Sequence, residues 1–538
     1  MENAERREAF SHASTFSVHR SPLAASRRWL LPSLKDALFV ALVAAPFLRN
    51  PSGVLSDGDI GWHIRNGEEI LRTLTVPRTD PFSFTRYAQP WISFEWLSDA
   101  VFGWAHAHAG LTGVAVLAHL LFALTFVLLF RRLLADAGHV VLALALTLLA
   151  AAASSIHLLA RPHLFTLLAA VVWSMVLDRV TREGRPRFLW WCLPLMLVWV
   201  NVHGGFYVGL ALAAIYAAGH LLTAMTTRDP DLAAAARRLA RAYALALGGC
   251  LAVTLVNPYG FHLHEYLLGY LQSRSLMDGI AEFMSPDFHR FPLQAFEALL
   301  LASLAALAVA PRTISWTEGL LLLTWTHLAL FSVRHVPLYT VVVSPIIARQ
   351  LAQPLERLAA SAGRGPAFSR WLPALARHSR ALAAFERRLD GVGYLVLAAI
   401  VAVTLSVASE HGWRTGWPRG AFGRGDFPVS AADAMDSAGV PARLFTTDSW
   451  AGYLVYRFHP RYRAFFDGRH AFYGPALVRD YDRVLRLQPG WDRILAAHQI
   501  TAILLPVGYT SAEALSVVPG WRAVHRDDQA VLFVRGTQ

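Results

Sequence analysis

The chain has 538 residues, 55% of them hydrophobic and 16% charged. Soluble domains carry about a quarter charged residues, so this composition excludes an ordinary soluble protein. The net charge of +12 does not mark a nucleic-acid binder: every basic residue except Lys35 is arginine, and no basic patch is interleaved with aromatics.

Two cysteines, Cys192 and Cys250, both lie in hydrophobic runs, so neither a disulfide framework nor a thiolate metal site is implied. The run from Gly391 to Ser409 holds no charge and is long enough to cross a bilayer. These features predict a mostly α-helical, polytopic membrane protein.

The N-terminal tail, 1–29, precedes a first span at 30–49. Arg27 and Arg28 before the apolar run Ala37 to Leu48 give it the look of a signal peptide. Lys35 and Asp36 interrupt that run, and no small-residue cleavage site follows, so it reads as a retained span.

The next segment, 50–110, is acidic and aromatic. Carboxylates are costly near hydrocarbon, so their density beside a span favours a site over a passive linker. Asp57-Gly58-Asp59 opens it. Two carboxylates across a glycine suit a divalent cation, magnesium or manganese, or one of them suits a general base; a turn with an N-cap accounts for them equally simply. Ile60 to Leu71 has an apolar stripe with Arg65, Asn66, Glu68 and Glu69 elsewhere, which predicts an amphipathic helix lying on the outer surface. Trp62 reads as an interfacial anchor, and His63 either as surface or as part of the site. Pro77, Pro81 and Pro90 impose extended, turned chain. Phe82, Phe84, Trp91, Phe94 and Trp96 fit a sugar-stacking platform or an interfacial aromatic belt. Glu95 and Asp99 share a helix face, and Glu95 is the second candidate carboxylate.

Ten further spans are predicted near 111–131, 139–155, 164–180, 188–202, 205–225, 240–256, 294–311, 314–331, 336–350 and 391–409, giving eleven in a transmembrane domain at 30–409. Alternate short loops hold eleven basic residues against four in the opposite set, which places the arginine-rich set and the N-terminus in the cytoplasm. The arginine-rich loop 351–390 falls on that side. The 50–110 loop and everything after the last span then face outward. Polar residues gather at the outward span ends: Arg161 and His163, His203, His289, Arg334 and His335. Any one reads as a capped helix end; together they suit an outward cavity for a phosphate-bearing ligand. A zinc site is poorly supported, because no pair has the i, i+4 spacing of a metallohydrolase.

Residues 410–426 read as a Gly/Arg/Trp linker. Beyond it, 427–538 reads as a small α/β domain with β-like runs at Arg443 to Thr447, Tyr462 to Phe466, Thr501 to Leu505 and Ala530 to Val534. Asp467, Arg469 and His470 follow one of these runs, either as binding residues at a strand end or as a turn braced by an Asp–Arg pair.

With Asp57-Gly58-Asp59 just after the first span, a large first outer loop, about a dozen spans and a C-terminal exported domain, the layout resembles the GT-C superfamily of integral membrane glycosyltransferases. That superfamily includes the protein O-mannosyltransferases, the aminoarabinose transferases of lipid A and the oligosaccharyltransferase catalytic subunits. The stretches DIGWHIRNGEEIL, VPRTDPFSF and QPWISFEWL resemble an uncharacterised bacterial branch. The resemblance implies a sugar donor on a polyprenyl phosphate or pyrophosphate and inverting transfer to a glycan, lipid or protein acceptor. It makes Asp57 or Asp59 the catalytic base and places the protein in a bacterial inner membrane. Arg161 and Arg334 match no motif of the family and are assigned to the leaving phosphate on charge alone. The WWD-type signature is absent; Asp448-Ser449-Trp450 is its faint counterpart. No Gly-rich nucleotide loop faces the cytoplasm, which disfavours a nucleotide-sugar donor. Two rival readings are a transporter or flippase of a lipid-linked saccharide, which wants ionisable residues at mid-membrane, and a non-catalytic membrane protein whose exported domain binds glycan or protein.

Overall fold

A computed structural model describes residues 31–273, 280–310, 313–361, 371–389 and 391–536. The N-terminal tail, 1–29, lies outside the described residues.

Each predicted span falls on a helix. Six helices among the described residues are long and apolar enough to cross a membrane: Trp96–Ala137, Val140–His157, His163–Glu183, Gly204–Thr226, Phe291–Val309 and Gly393–Glu410. The remaining predicted positions are helical but shorter or more polar. The Trp96–Ala137 helix is broken at Ala109 and Gly110, where Gly110 takes φ +57°. Only glycine adopts that conformation without strain. The break separates a polar first segment, carrying Asp99, from the apolar remainder.

Polar groups collect at two opposite ends of the bundle. Away from the site, Arg349 pairs with Asp136 at 2.9 Å, Asp178 at 3.1 Å and Glu318 at 3.0 Å. Arg132 also contacts Asp178 and bonds Ser174 at 2.7 Å. Buried charges persist only when paired in this way, and these pairs staple four helices at that end.

The helix Asp59–Thr73 begins where Asp57 Oδ1 accepts the Asp59 N–H at 2.9 Å, and it stops at Leu74 in the left-handed region. It does not lie on the surface as predicted. Asp59, Ile60, Trp62, His63, Ile64, Asn66 and Ile70 are all buried. Three glycines explain why. A Cβ on Gly58 would stand 1.7 Å from the Ser449 carbonyl oxygen, one on Gly61 2.2 Å from that of Gly452, and one on Gly67 1.7 Å from that of Asp99. The helix is therefore clamped backbone to backbone between the Trp96–Ala137 helix and the helix Asp448–Phe458.

The C-terminal region forms a four-stranded sheet in the order β1-β2-β4-β3, from Leu444–Thr446 (β1), Ala502–Pro506 (β2), Trp521–Arg526 (β3) and Ala530–Arg535 (β4). β1 and β2 are parallel, and the other pairs are antiparallel. The run Tyr462 to Phe466 is not a sheet strand. It makes one bridge, Ser83 to Ala464, because its partner is the first long loop: Phe84 N–H donates to Ala464 O at 3.0 Å and Ala464 N–H to Phe82 O at 2.8 Å. One apolar core runs from the helical bundle through the first loop into residues 422–464. The C-terminal region thus forms a wall of the bundle's polar end.

Candidate active site

Arg161, in the turn before the helix His163–Glu183, is the hub of the polar end. Its Nη1 donates to Asp57 Oδ2 and to Glu282 Oε1, both at 2.9 Å, and its Nη2 donates to Asp59 Oδ2 at 3.2 Å. Glu282 Oε2 lies 3.7 Å from Arg334 Nη1. Two acids and two arginines singled out in the sequence therefore meet in one cluster, joined by an acid that was not.

Asp59 is held on all sides. Its Oδ1 accepts from Trp62 Nε1 at 3.2 Å, so Trp62 orients the carboxylate rather than anchoring a surface helix. Gly468 lies against it: a Cβ there would be 2.0 Å from Asp59 Oδ1. Burial, with the neighbouring Asp57 charge, pushes the Asp59 carboxyl up to about 6. Burial likewise raises Glu95 to about 7 and lowers His63 to about 4. His63 is not on the surface; its Nδ1 lies 2.6 Å from Asp99 Oδ1, and Asn66 donates to the other oxygen at 2.6 Å.

Three adjoining cavities share Tyr270 and Arg334 as walls. The first is faced by Asp59, His63, Trp91, Phe94, Glu95 and Arg469. The second opens beside Asp57, Glu282, Asp448, Ser449 and His470. The third is lined by Leu167, Leu267, Leu271, Phe283 and Leu338, with His163, His203 and His335 among them.

No protein-family model matches the sequence, and no curated protein matches it either. Solved structures do. The Archaeoglobus fulgidus oligosaccharyltransferase, tethered to an acceptor peptide containing the NVT sequon, matches with a TM-score of 0.55 and 11% identity over 92% of this chain and 70% of its own. The oligosaccharyltransferase AglB from the same organism, in complex with an inhibitory peptide and a dolichol-phosphate, matches at 0.53 and 11% over 94% and 71%. ArnT from Cupriavidus metallidurans, bound to undecaprenyl phosphate, aligns more loosely at 0.48 and 15% over 96% and 100%. The chain shares the overall fold of these oligosaccharyltransferase structures.

The other predicted site residues divide. Glu95 faces the first cavity and lies 3.5 Å from His203 Nε2. His203 Nδ1 accepts from Gly205 N–H at 3.0 Å, which leaves the proton on the Nε2 facing Glu95. His163 Nε2 donates to the His157 carbonyl at 2.7 Å. Arg469 reaches the first cavity but is braced, to Asp467 at 2.8 and 2.7 Å and to Asp80 at 2.7 Å. Asp467 does not line the cavity; Arg469 and the Tyr473 hydroxyl occupy both its oxygens, so it is a strut. His289 is also outside the site. Its side chain is 98% exposed beside Asp287, because its turn points away from the bundle.

The expected divalent cation does not fit the Asp57/Asp59 pair as it stands. All four carboxylate oxygens already accept from N–H donors, and the guanidinium of Arg161 sits where a cation would. Among the described residues no three His, Cys, Asp or Glu side chains are grouped to hold a metal.

Trp91 and Phe94 face the first cavity, and Phe84 packs on Phe465. Trp91 also lies 4.8 Å from the Arg469 guanidinium, in cation–π contact. Sequence reasoning missed Glu282 and Tyr270, both in the 257–292 loop. Their only signal was an acid and a tyrosine in a segment expected to face outward.

Proposed function

We propose that this protein moves a sugar from a polyprenyl-phosphate carrier to an acceptor hydroxyl at the outer face of a bacterial inner membrane. The observation that carries this reading is Arg161, which contacts both candidate base carboxylates and is linked through Glu282 to Arg334, on the wall of an apolar cavity. The fold it shares with enzymes solved with dolichol-phosphate and an acceptor peptide supports it.

In this reading the carrier's tail lies along the third cavity and its phosphate lies between Arg334 and Arg161. The sugar occupies the first cavity against Trp91 and Phe94, with Glu95 as its polar contact. The acceptor enters through the second cavity, past Asp448 and Ser449. The acceptor oxygen attacks the anomeric carbon from the face opposite the phosphate, and the carbon–phosphate oxygen bond breaks with inversion. The acceptor proton passes to Asp59, and the electron pair leaves on the phosphate as a second negative charge. Arg161 couples the two events. As it turns toward the growing phosphate charge it loosens from Asp59 Oδ2, which becomes a better base when the proton arrives.

The test is transfer of labelled sugar from a polyprenyl-phosphate donor in membranes. Asp59→Asn should lose activity by about 10²–10⁴-fold, the usual worth of a positioned base. Asp57→Asn, which keeps the fold but removes the partner charge and weakens the cap, should lose less. Unchanged transfer in both variants removes the assignment.

The pH profile gives a second check. A base must be ionised, and burial has moved the Asp59 carboxyl upward, so activity should rise with pH through about 6. In Asp59→Asn that limb should vanish from the residual rate. A wild-type limb near the ordinary carboxylate value would mean that Asp59 does not take the proton.

A further inference from the structure

We propose that the Glu282 carboxylate is a built-in competitor for the phosphate: it occupies the space between Arg161 and Arg334 that a phosphate group needs, and it is displaced when a phosphate-bearing lipid enters. The inference rests on the reading of these arginines as the phosphate site.

One oxygen of Glu282 accepts from Arg161 at 2.9 Å, and the other faces Arg334 at 3.7 Å. A carboxylate bridging two guanidiniums has the geometry and charge of the ligand that two arginines otherwise clamp. The placement is built rather than incidental. Ser332 Oγ donates to the Glu282 carbonyl at 2.9 Å, and Val333 N–H donates to the Met284 carbonyl at 2.9 Å. Those bonds tie the Ala281–Phe283 turn to the turn that carries Arg334. The Arg334 guanidinium also lies 5.1 Å from the Phe283 ring.

Phosphate and Glu282 cannot share the site. Burial works against the glutamate's charge, yet Arg161 and Arg334 hold its carboxyl below the usual range, so it stays anionic at any working pH. An incoming phosphate is therefore repelled unless the glutamate leaves. It has somewhere to go: its side chain is 29% exposed on the second cavity.

Displacement has a consequence for turnover. After the sugar departs, the phosphate carries its extra charge and is held hardest. Glu282 can return to the arginines and expel it, so each cycle ends with the pair reset. The glutamate lowers lipid affinity and raises the rate of product release.

The experiment measures binding of undecaprenyl phosphate to the full-length protein in detergent, comparing wild type with Glu282→Gln and Glu282→Ala. The second variant also removes the amide that could still hydrogen-bond the arginines. Both should bind the lipid at least tenfold more tightly, and in the transfer assay kcat and KM should fall together. Inorganic phosphate should compete more strongly in the variants, which separates headgroup recognition from tail burial. Affinity that is unchanged or weaker in both variants, with wild type binding, overturns the inference and leaves the function standing. Absence of lipid binding by wild type and both variants alike sinks the function itself, and this inference with it.

Discussion

Replacing Arg161 by alanine is expected to reduce sugar transfer by at least about 10³-fold, the range seen when a single group that stabilises developing charge is lost. Arg161 contacts all three of Asp57, Asp59 and Glu282. Its removal leaves three carboxylates gathered without their shared cation, and it removes one of two groups available to the leaving phosphate. The damage should appear in stability as well. Breaking a buried ion pair typically costs about 3–5 kcal/mol. The Arg161 side chain is 22% exposed, so water recovers some of the loss and about 2 kcal/mol is expected. Arg161→Lys should restore much of the stability and little of the rate. An ammonium replaces the charge, but it lacks the planar fork that reaches two or three oxygens at fixed angles. Transfer assays and thermal unfolding of the same preparations separate the two effects. Lysine supporting near wild-type transfer would show that Arg161 is a structural counter-ion only.

The sequence carried much of this arrangement, for reasons that differ by residue. The helices were legible because apolar runs long enough to meet lipid have few alternative explanations. Asp57, Asp59, Arg161 and Arg334 stood out as charges at span ends, where a charge is unfavourable without a role. The burial of the Asp59–Thr73 helix was hidden because it depends on Gly58, Gly61 and Gly67. Their meaning lies in the backbone of Ser449, Gly452 and Asp99, which sequence spacing does not reveal. Strand β3, with Arg522, His525 and Arg526 and little burial, lacks the apolar alternation that marks a strand. Glu282 could not be separated from other loop acids, because its importance comes from two arginines, one 121 residues before it and one in the turn before the Val336–Ala360 helix.

Gly468→Ala should nearly abolish transfer while leaving the fold intact. The added methyl would lie 2.0 Å from Asp59 Oδ1 and 2.5 Å from its Oδ2. Such contact is impossible, so the carboxylate must turn away. An aspartate has only two bonds about which to do so, and either turn sacrifices the Trp62 bond, the Arg161 bond or both. A misplacement of this size at a reacting group typically costs about 10²-fold. Stability should change little, because the clash is with a side chain end rather than backbone. Gly58→Ala makes the contrast: its methyl would meet the Ser449 carbonyl at 1.7 Å, so it must push the Asp59–Thr73 and Asp448–Phe458 helices apart and lower thermal stability as well as rate. If the Gly468 variant keeps full activity, the base does not need the position it occupies here, and Asp59 is not the group that receives the proton.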